Sequence, residues 1–257
     1  MTGFTLYNAP QSTCSQRVRF VLAAKGLEFE EHKLDLFAGD QLKPDYLKLN
    51  PNGVVPTLVH EGAVIIDSSV IAEYLDELFP EPERFVPEAA AERAQMRALM
   101  RFIDEVPTPA IRIPSYNLAF LRYFKTMSEE EFLALAESKP LRKEFILRMG
   151  RTGFPKQDMD AAMDRLSRAL RRMNEAISAS GGPWLLGEML TLADIAVMPV
   201  IVRMADIGLG HMWDGMPAIR RWLEAIRAQP AYAKAYYHGS LLTEKYPELK
   251  DEISGRR

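Results

Sequence analysis

Two textures divide this chain of 257 residues, and the break between them constrains the fold more than any other feature. Ahead of Asp67, short β-prone runs alternate with helix-like stretches; beyond Pro80, Pro82 and Pro87 almost no strand signal remains. Phe4 to Tyr7 is a β-prone run. Ser12-Thr13 precedes an apolar helical stretch, Val18 to Ala24, which Gly26 ends. Leu27 to Leu36 reads as a second strand and Pro44 to Leu49 as a short helix. Val54 to His60 and Ala63 to Ile66 are strands joined by Glu61-Gly62, a hairpin signal. Asp67-Ser68-Ser69 caps a helix to about Leu78, with Val70, Ile71, Tyr74 and Leu75 on one face. The order β-α-β-α-β-β-α is a parallel β-α-β unit followed by a hairpin and a covering helix.

The remainder reads as helices. Ala89 to Val106 is one, ended or kinked by Pro107 and Pro109. Ser128-Glu129-Glu130-Glu131 is a capping-box start. Pro155 to Ser180 is long and amphipathic, with Met159, Met163, Leu166, Leu170, Met173 and Ile177 in register. Thr191 to Asp194 is a second capping box, opening a helix from Ile195 to Ala205 so apolar that it is expected to be buried on all sides. Pro217 to Ala228 and Pro230 to Tyr237 follow. The expected division is an α/β domain over residues 1–79, a linker over 80–88 and an all-α domain over 89–257.

Composition narrows the function classes. Apolar residues at 47% and charged residues at 26% fit a soluble globular protein. Thirty-two Lys and Arg against 35 Asp and Glu leave a net charge of −3, with no bulk attraction to nucleic acid or anionic lipid. Cys14 is the sole cysteine, which excludes an internal disulfide and a multi-cysteine zinc site. His32, His60, His211 and His238 lack metal-ligand spacing, so no metal is expected. Gly208-Leu209-Gly210 lacks the third glycine and the preceding strand of a dinucleotide loop, and reads as a turn. Met1 to Tyr7 lacks the pattern of a secretory signal. Leu190 to Val202 is too short for a membrane span and carries Asp194 and Pro199. The expectation is a cytoplasmic protein.

Four places carry candidate chemistry. Ser12, Thr13, Cys14 and Ser15 lie at a helix start, where free N–H groups and the dipole stabilise an anion, a thiolate included; plain N-capping is the other reading. Proline belongs at strand entrances, so Val55-Pro56 has an ordinary explanation. A cis bond there is the other reading, and it turns the Val55 backbone outward to pair with an extended peptide. Asp67-Ser68 is a cap or a carboxylate site. Gln41 and Lys43 are solvated loop residues or the grip of a second carboxylate.

Taken together, the pieces resemble a cytosolic glutathione transferase over nearly the whole chain. Ser12-x-Cys14-Ser15-x-Arg17-Val18-Arg19 is similar to the zeta-class signature. Leu49-Asn50-Pro51-x-Gly53-x-Val55-Pro56-Thr57-Leu58, followed by Asp67-Ser68-x-x-Ile71-x-x-Tyr74-Leu75, resembles the family's most specific pattern. Leu185-x-Gly187-x-x-x-Thr191-Leu192-Ala193-Asp194-Ile195 matches the capping-box helix of its second domain.

The resemblance implies a thioredoxin-like domain followed by a helical bundle. It also implies a homodimer that uses glutathione as co-substrate and takes a small hydrophobic or aromatic acceptor. It places Ser12 on the glutathione sulfur, with Cys14 and Ser15 as the competing catalytic candidates. Val55, flanked by Val54 and Pro56, pairs with the cysteinyl backbone; Asp67 and Ser68 hold the γ-glutamyl end; Gln41 and Lys43 hold the glycine carboxylate. Asp104 reaches the γ-glutamyl amine of a partner subunit. The acceptor is expected between Asn8, Pro10 and Gln11 on one side and Arg112, Tyr116 and Phe120 on the other. Ser128 to Phe154 is longer than in most classes and resembles the bacterial β-etherase branch. Glutathione-dependent β-aryl ether cleavage, Cys14-based thiol–disulfide exchange and a non-catalytic binding role are the alternatives.

Overall fold

The computed structural model describes residues 3–139 and 141–255; the first two residues of the Met1 to Tyr7 segment lie outside them. β1 (Phe4–Asn8) alternates buried and half-buried residues, as a strand with one face on a core must. It pairs in parallel with β2 (Glu30–Lys33) and antiparallel with β3 (Thr57–His60), which turns into β4 (Ala63–Ile66). The sheet order is β2-β1-β3-β4. α1 (Thr13–Ala24) is the crossover, α2 (Pro44–Leu49) precedes β3, and α3 (Ser68–Leu78) covers the sheet. The order matches the thioredoxin-like expectation. The expected strand from Leu27 to Leu36 shrinks to Glu30–Lys33, because β1 supplies only Thr5 to Asn8 as pairing partners. The expected strand from Val54 begins at Thr57, because Val54 gives its carbonyl to side chains and Pro56 has no N–H.

The connection from Pro80 to Glu88 contains no helix or strand, yet it is held firmly. Asp76 accepts the backbone N–H groups of Phe85 (2.9 Å) and Val86 (3.0 Å), and pairs with Lys25 at 2.6 Å in the interior. Phe85 is itself fully buried and takes the Leu192 N–H on its carbonyl. A linker composition has become part of the core.

Beyond it come α4 (Ala90–Glu105) and α5 (Pro107–Ser115). Pro107 does end α4, but it then starts α5 at once. Pro109 also falls in that first turn, where an N–H has no intrahelical partner to lose. A π-turn over Tyr116–Phe120 follows and leads into α6 (Leu121–Lys125). α7 (Glu129–Glu137) opens on the expected capping box, with Ser128 and Glu131 bonded reciprocally at 3.2 and 2.7 Å. α8 (Lys143–Met149) completes the insert. Phe124, Phe132, Ala136, Ile146, Met149 and Phe154 bury one another in a cluster separate from the main core.

The main core is built by α9 (Lys156–Ser180), α10 (Leu192–Asp206) and α11 (Pro217–Arg227) against α4, α5 and the sheet domain. Every residue of α10 from Leu192 to Met204 is buried, as its composition predicts. No helix among the described residues is long and apolar enough to cross a membrane. Asp194 organises the start of α10. Its carboxylate accepts from Leu185 N (2.9 Å), Thr191 N (3.0 Å), Thr191 Oγ1 (2.9 Å) and Trp222 Nε1 (2.9 Å). Burial pushes its pKa up while these donors pull it down. Asp194→Ala leaves several buried donors without an acceptor and is expected to cost about 3–5 kcal/mol. Urea unfolding of the two proteins measures this; a loss under about 1 kcal/mol contradicts the role.

Candidate active site

The first turn of α1 is built to face an anion. Ser12 is its N-cap, with the Oγ accepting the Ser15 N–H at 3.3 Å and its own N–H bonded to Ala9 O at 3.0 Å. The Ser12 O–H is thereby left to donate elsewhere. The N–H groups of Thr13 and Cys14 have no partner among the described residues, as the first turn of a helix requires. Ser12, Thr13 and Cys14 line one cleft of about 420 Å³, and Cys14 is half-buried there. Ser15 corrects the expectation: it is fully buried, accepts the Ala9 N–H at 3.4 Å, and does not reach the cleft.

The second wall is the loop before β3. Tyr46 on α2 donates to Val54 O (2.6 Å) and bonds Thr57 Oγ1 (2.9 Å), and Asn50 Nδ2 donates to both of the same acceptors at 3.0 Å. Burial raises the Tyr46 pKa, so its phenol stays a donor. The Val55–Pro56 bond is cis. The Val55 N–H and C=O make no hydrogen bond among the described residues, and Val54 and Val55 line the cleft. Pro56 stands behind them, outside the lining. Gln41 lines it too, buried, with Nε2 donating to Leu36 O at 3.2 Å and Oε1 without a partner among the described residues. Lys43 is turned away: exposed, paired with Asp40 at 2.7 Å, and absent from the lining.

Asp67, Ser68 and Asp104 lie outside the lining of the cleft; Ser68 and Asp104 are tied together by Arg17, which the sequence showed only as part of the first-helix motif. Arg17, buried on α1, donates to Ser68 Oγ (3.4 Å), Asp104 Oδ1 (2.5 Å), Thr108 Oγ1 (3.0 Å) and Ala196 O (2.9 Å). Ser69 Oγ donates to Asp104 Oδ2 at 2.7 Å, so both oxygens of Asp104 already have partners in this chain. Asp67 caps α3, accepting the N–H groups of Ser69 (2.8 Å) and Val70 (3.3 Å). The signal for Arg17 was a cation embedded in an apolar helix, next to Val18, Phe20 and Val21.

The helical wall carries Arg112, Tyr116 and Phe120 into the cleft as expected. The π-turn sets Tyr116 edge-on to Phe120, with ring centroids 4.9 Å apart. Phe37 from the sheet domain stacks on Tyr123 at 4.3 Å and lies 5.0 Å from Phe120, closing the cleft from above. Gln11 lines the cleft with its backbone carbonyl on Arg203. Asn8 and Pro10 do not line it. Asn8 is fully buried and accepts Arg19 Nη1 at 2.7 Å, and the Pro10 carbonyl accepts Arg19 Nη2 at 2.9 Å. Both expectations failed because the buried guanidinium of Arg19 takes the inner side of that loop. Lys139 and Arg142, from the insert, also line the cleft; nothing in their local sequence marks them.

Residues 11–78 match the glutathione S-transferase N-terminal domain, and residues 156–225 match the C-terminal domain. Glutathione S-transferase 1 of Dianthus caryophyllus is 36% identical over 247 residues, covering 96% of this chain and 94% of that protein. Protein LigF of Sphingobium sp. (strain NBRC 103272 / SYK-6) is 28% identical over 239 residues, covering 90% and 92%. The crystal structure of the β-etherase LigF from Sphingobium sp. strain SYK-6 superposes with a TM-score of 0.82, covering 92% of this chain and 99% of that one. With both domain signatures in order and a relative 36% identical over 96% of this chain, the chain belongs to the glutathione S-transferase family.

Proposed function

We propose that the cleft binds glutathione with its sulfur at the Ser12 hydroxyl and the open Thr13 and Cys14 amides. The observation that carries this reading is the Ser12 geometry: its oxygen accepts the Ser15 N–H inside the helix cap, and its O–H donates to no other group among the described residues. A hydrogen bond and a helix N-terminus both favour the ionised thiol, so the enzyme needs no base at the sulfur. The thiolate then forms a C–S bond at an electrophilic carbon of a small hydrophobic or aromatic acceptor, the carbon's bond to its leaving group breaks with the electron pair going to that group, and the thiol proton leaves to solvent. Val55 offers an unbonded N–H and C=O to the cysteinyl backbone, with Val54 and Pro56 fixing it. Asp67 at the cap of α3 and Ser68, held by Arg17, take the γ-glutamyl end, and Asp104 supports Arg17. Gln41 has a free N–H for the glycine carboxylate, with Lys43 as a more distant cation. We place this enzyme in the cytoplasm as a homodimer acting on electrophilic compounds, with a glutathione domain over 1–79, a connection over 80–88 and an acceptor domain over 89–257.

Ser12→Ala is expected to lower kcat about a hundredfold while glutathione affinity by calorimetry changes little. Unchanged turnover removes Ser12 from the mechanism. Cys14→Ala is expected to keep turnover, and intact mass after oxidised glutathione is expected to show no adduct on the wild-type chain; loss of turnover together with an adduct moves the chemistry to Cys14.

The similarity to LigF across 92% of this chain favours a narrower second reading, cleavage of β-aryl ethers. There the thiolate forms a C–S bond at the β-carbon, the C–O bond breaks, and the phenolate leaves and takes up the released proton. A β-aryl ether incubated with enzyme and glutathione is expected to release its phenol; no glutathione-dependent release rules this variant out.

A further inference from the structure

The cleft contains no carboxylate among its described lining residues, yet five cations face it: Arg112, Lys139, Arg142, Arg203 and Lys245. Arg203 and Lys245 are engaged with Gln11, and Arg203 also lies 3.8 Å from Asp206. Arg112 on α5 and Arg142 at the start of α8 are different. The Arg112 guanidinium makes no hydrogen bond or ion pair among the described residues, and that of Arg142 makes one, to Leu141 O at 3.2 Å. The two are close enough to repel each other, and both act on the Tyr116 phenol. Burial and the neighbouring Arg112 charge both lower the Arg142 pKa. The Tyr116 hydroxyl has no hydrogen-bond partner among the described residues.

Two half-buried like charges held side by side without a counter-ion work against the fold that holds them. They are tolerated where a ligand supplies the missing charge, and guanidinium groups match a carboxylate in shape and in hydrogen-bond geometry. The aromatic rings of Phe37, Phe120 and Tyr123 pack together in the lining of the same cleft. We propose that Arg112, Arg142 and the Tyr116 hydroxyl form a carboxylate-binding subsite, and that the acceptor is an aromatic electrophile bearing a carboxylate. The assignment of this anion to the acceptor rests on the transferase reading, in which the glutathione carboxylates lie at Ser68 and Gln41; the subsite itself does not.

The test uses unreactive probes on the full chain saturated with S-methylglutathione. Calorimetry compares 3-phenylpropanoate with 3-phenylpropanamide, which has nearly the same shape and no charge. The acid is expected to bind about tenfold tighter or more. Arg112→Gln and Arg142→Met, each checked for folding by thermal melting, are expected to remove most of that preference while S-methylglutathione affinity stays within about twofold. Equal binding of acid and amide to the wild-type chain overturns the proposal without any variant. So does a preference that survives both substitutions. A tenfold loss of S-methylglutathione affinity in the variants with the acid preference intact assigns the arginines to glutathione and also overturns it. If S-methylglutathione does not bind at all, the transferase reading fails, and the same pair titrated on the free chain still decides the subsite.

Discussion

Arg17 and Arg19 carry two charges into the interior on one helix, and the acceptors that meet them come from both halves of the chain. Arg17 reaches Ser68 on α3, Asp104 on α4, Thr108 on α5 and Ala196 on α10. Arg19 reaches Asn8 and Pro10 in the sheet domain, and Ala235 and Ser240 near the C-terminal end. A buried guanidinium is costly unless its donors are satisfied in good geometry, so these acceptors cannot drift independently. The consequence is positional. α1 presents its first turn to the cleft, and the same helix fixes where the second domain stands relative to that turn. The cleft is therefore a product of two ionic anchors, with the apolar core filling what they leave.

The insert adds a different layer. Its Phe132, Ala136, Ile146, Met149 and Phe154 bury one another with Phe124 of α6, against Phe37, Ile113, Tyr116 and Phe120, and Asn117 bonds both N–H and C=O of Phe154 at 2.8 and 3.4 Å. Gly153 is required at that junction: its φ is +99°, and a side chain would begin 3.0 Å from Asn117 Oδ1. Asn117 lies in the π-turn that also sets Tyr116 and Phe120. One irregular turn thus orients the aromatic wall of the cleft and clamps the insert above it, consistent with the tendency of π-turns to appear at functional sites.

Local chemistry was legible in the sequence wherever a motif sufficed. The Ser128 capping box, the buried α10 and the β-α-β-α-β-β-α order all follow from patterns a few residues long. Boundaries were less legible, because a strand lasts only as long as its partner: Leu27 to Leu36 lost its ends to the shortness of β1. The site divided in the same way. Ser12, Val55, Gln41, Arg112, Tyr116 and Phe120 line the cleft because motif and helix register carry them there. Asn8, Pro10 and Ser15 were displaced inward by hydrogen bonds with Arg19 and Ala9, partners that a linear reading does not show. Lys139 and Arg142 were invisible for the opposite reason. A cation in a surface-like sequence reads as solvated until tertiary packing folds its segment over a cavity.

That last case explains why the electrostatics of the cleft escaped the charge count. A net charge of −3 describes the whole chain, whereas the described lining of the cleft holds five cations and no carboxylate. The compensating acids lie elsewhere, on exposed helix faces such as Glu129, Glu130 and Glu137 of α7. Screening over about 10 Å of water hides those acids from the cleft, while its low-dielectric walls preserve the field of the cations. The same field bears on both ligands of the proposed reaction. It favours the thiolate over the thiol at α1, and it draws an anionic acceptor toward that thiolate, whose charge would otherwise repel it. Separate groups for the two anions resolve this conflict: the partial positive charge of the helix end and the Ser12 hydroxyl at the sulfur, the Arg112 and Arg142 guanidiniums at the acceptor.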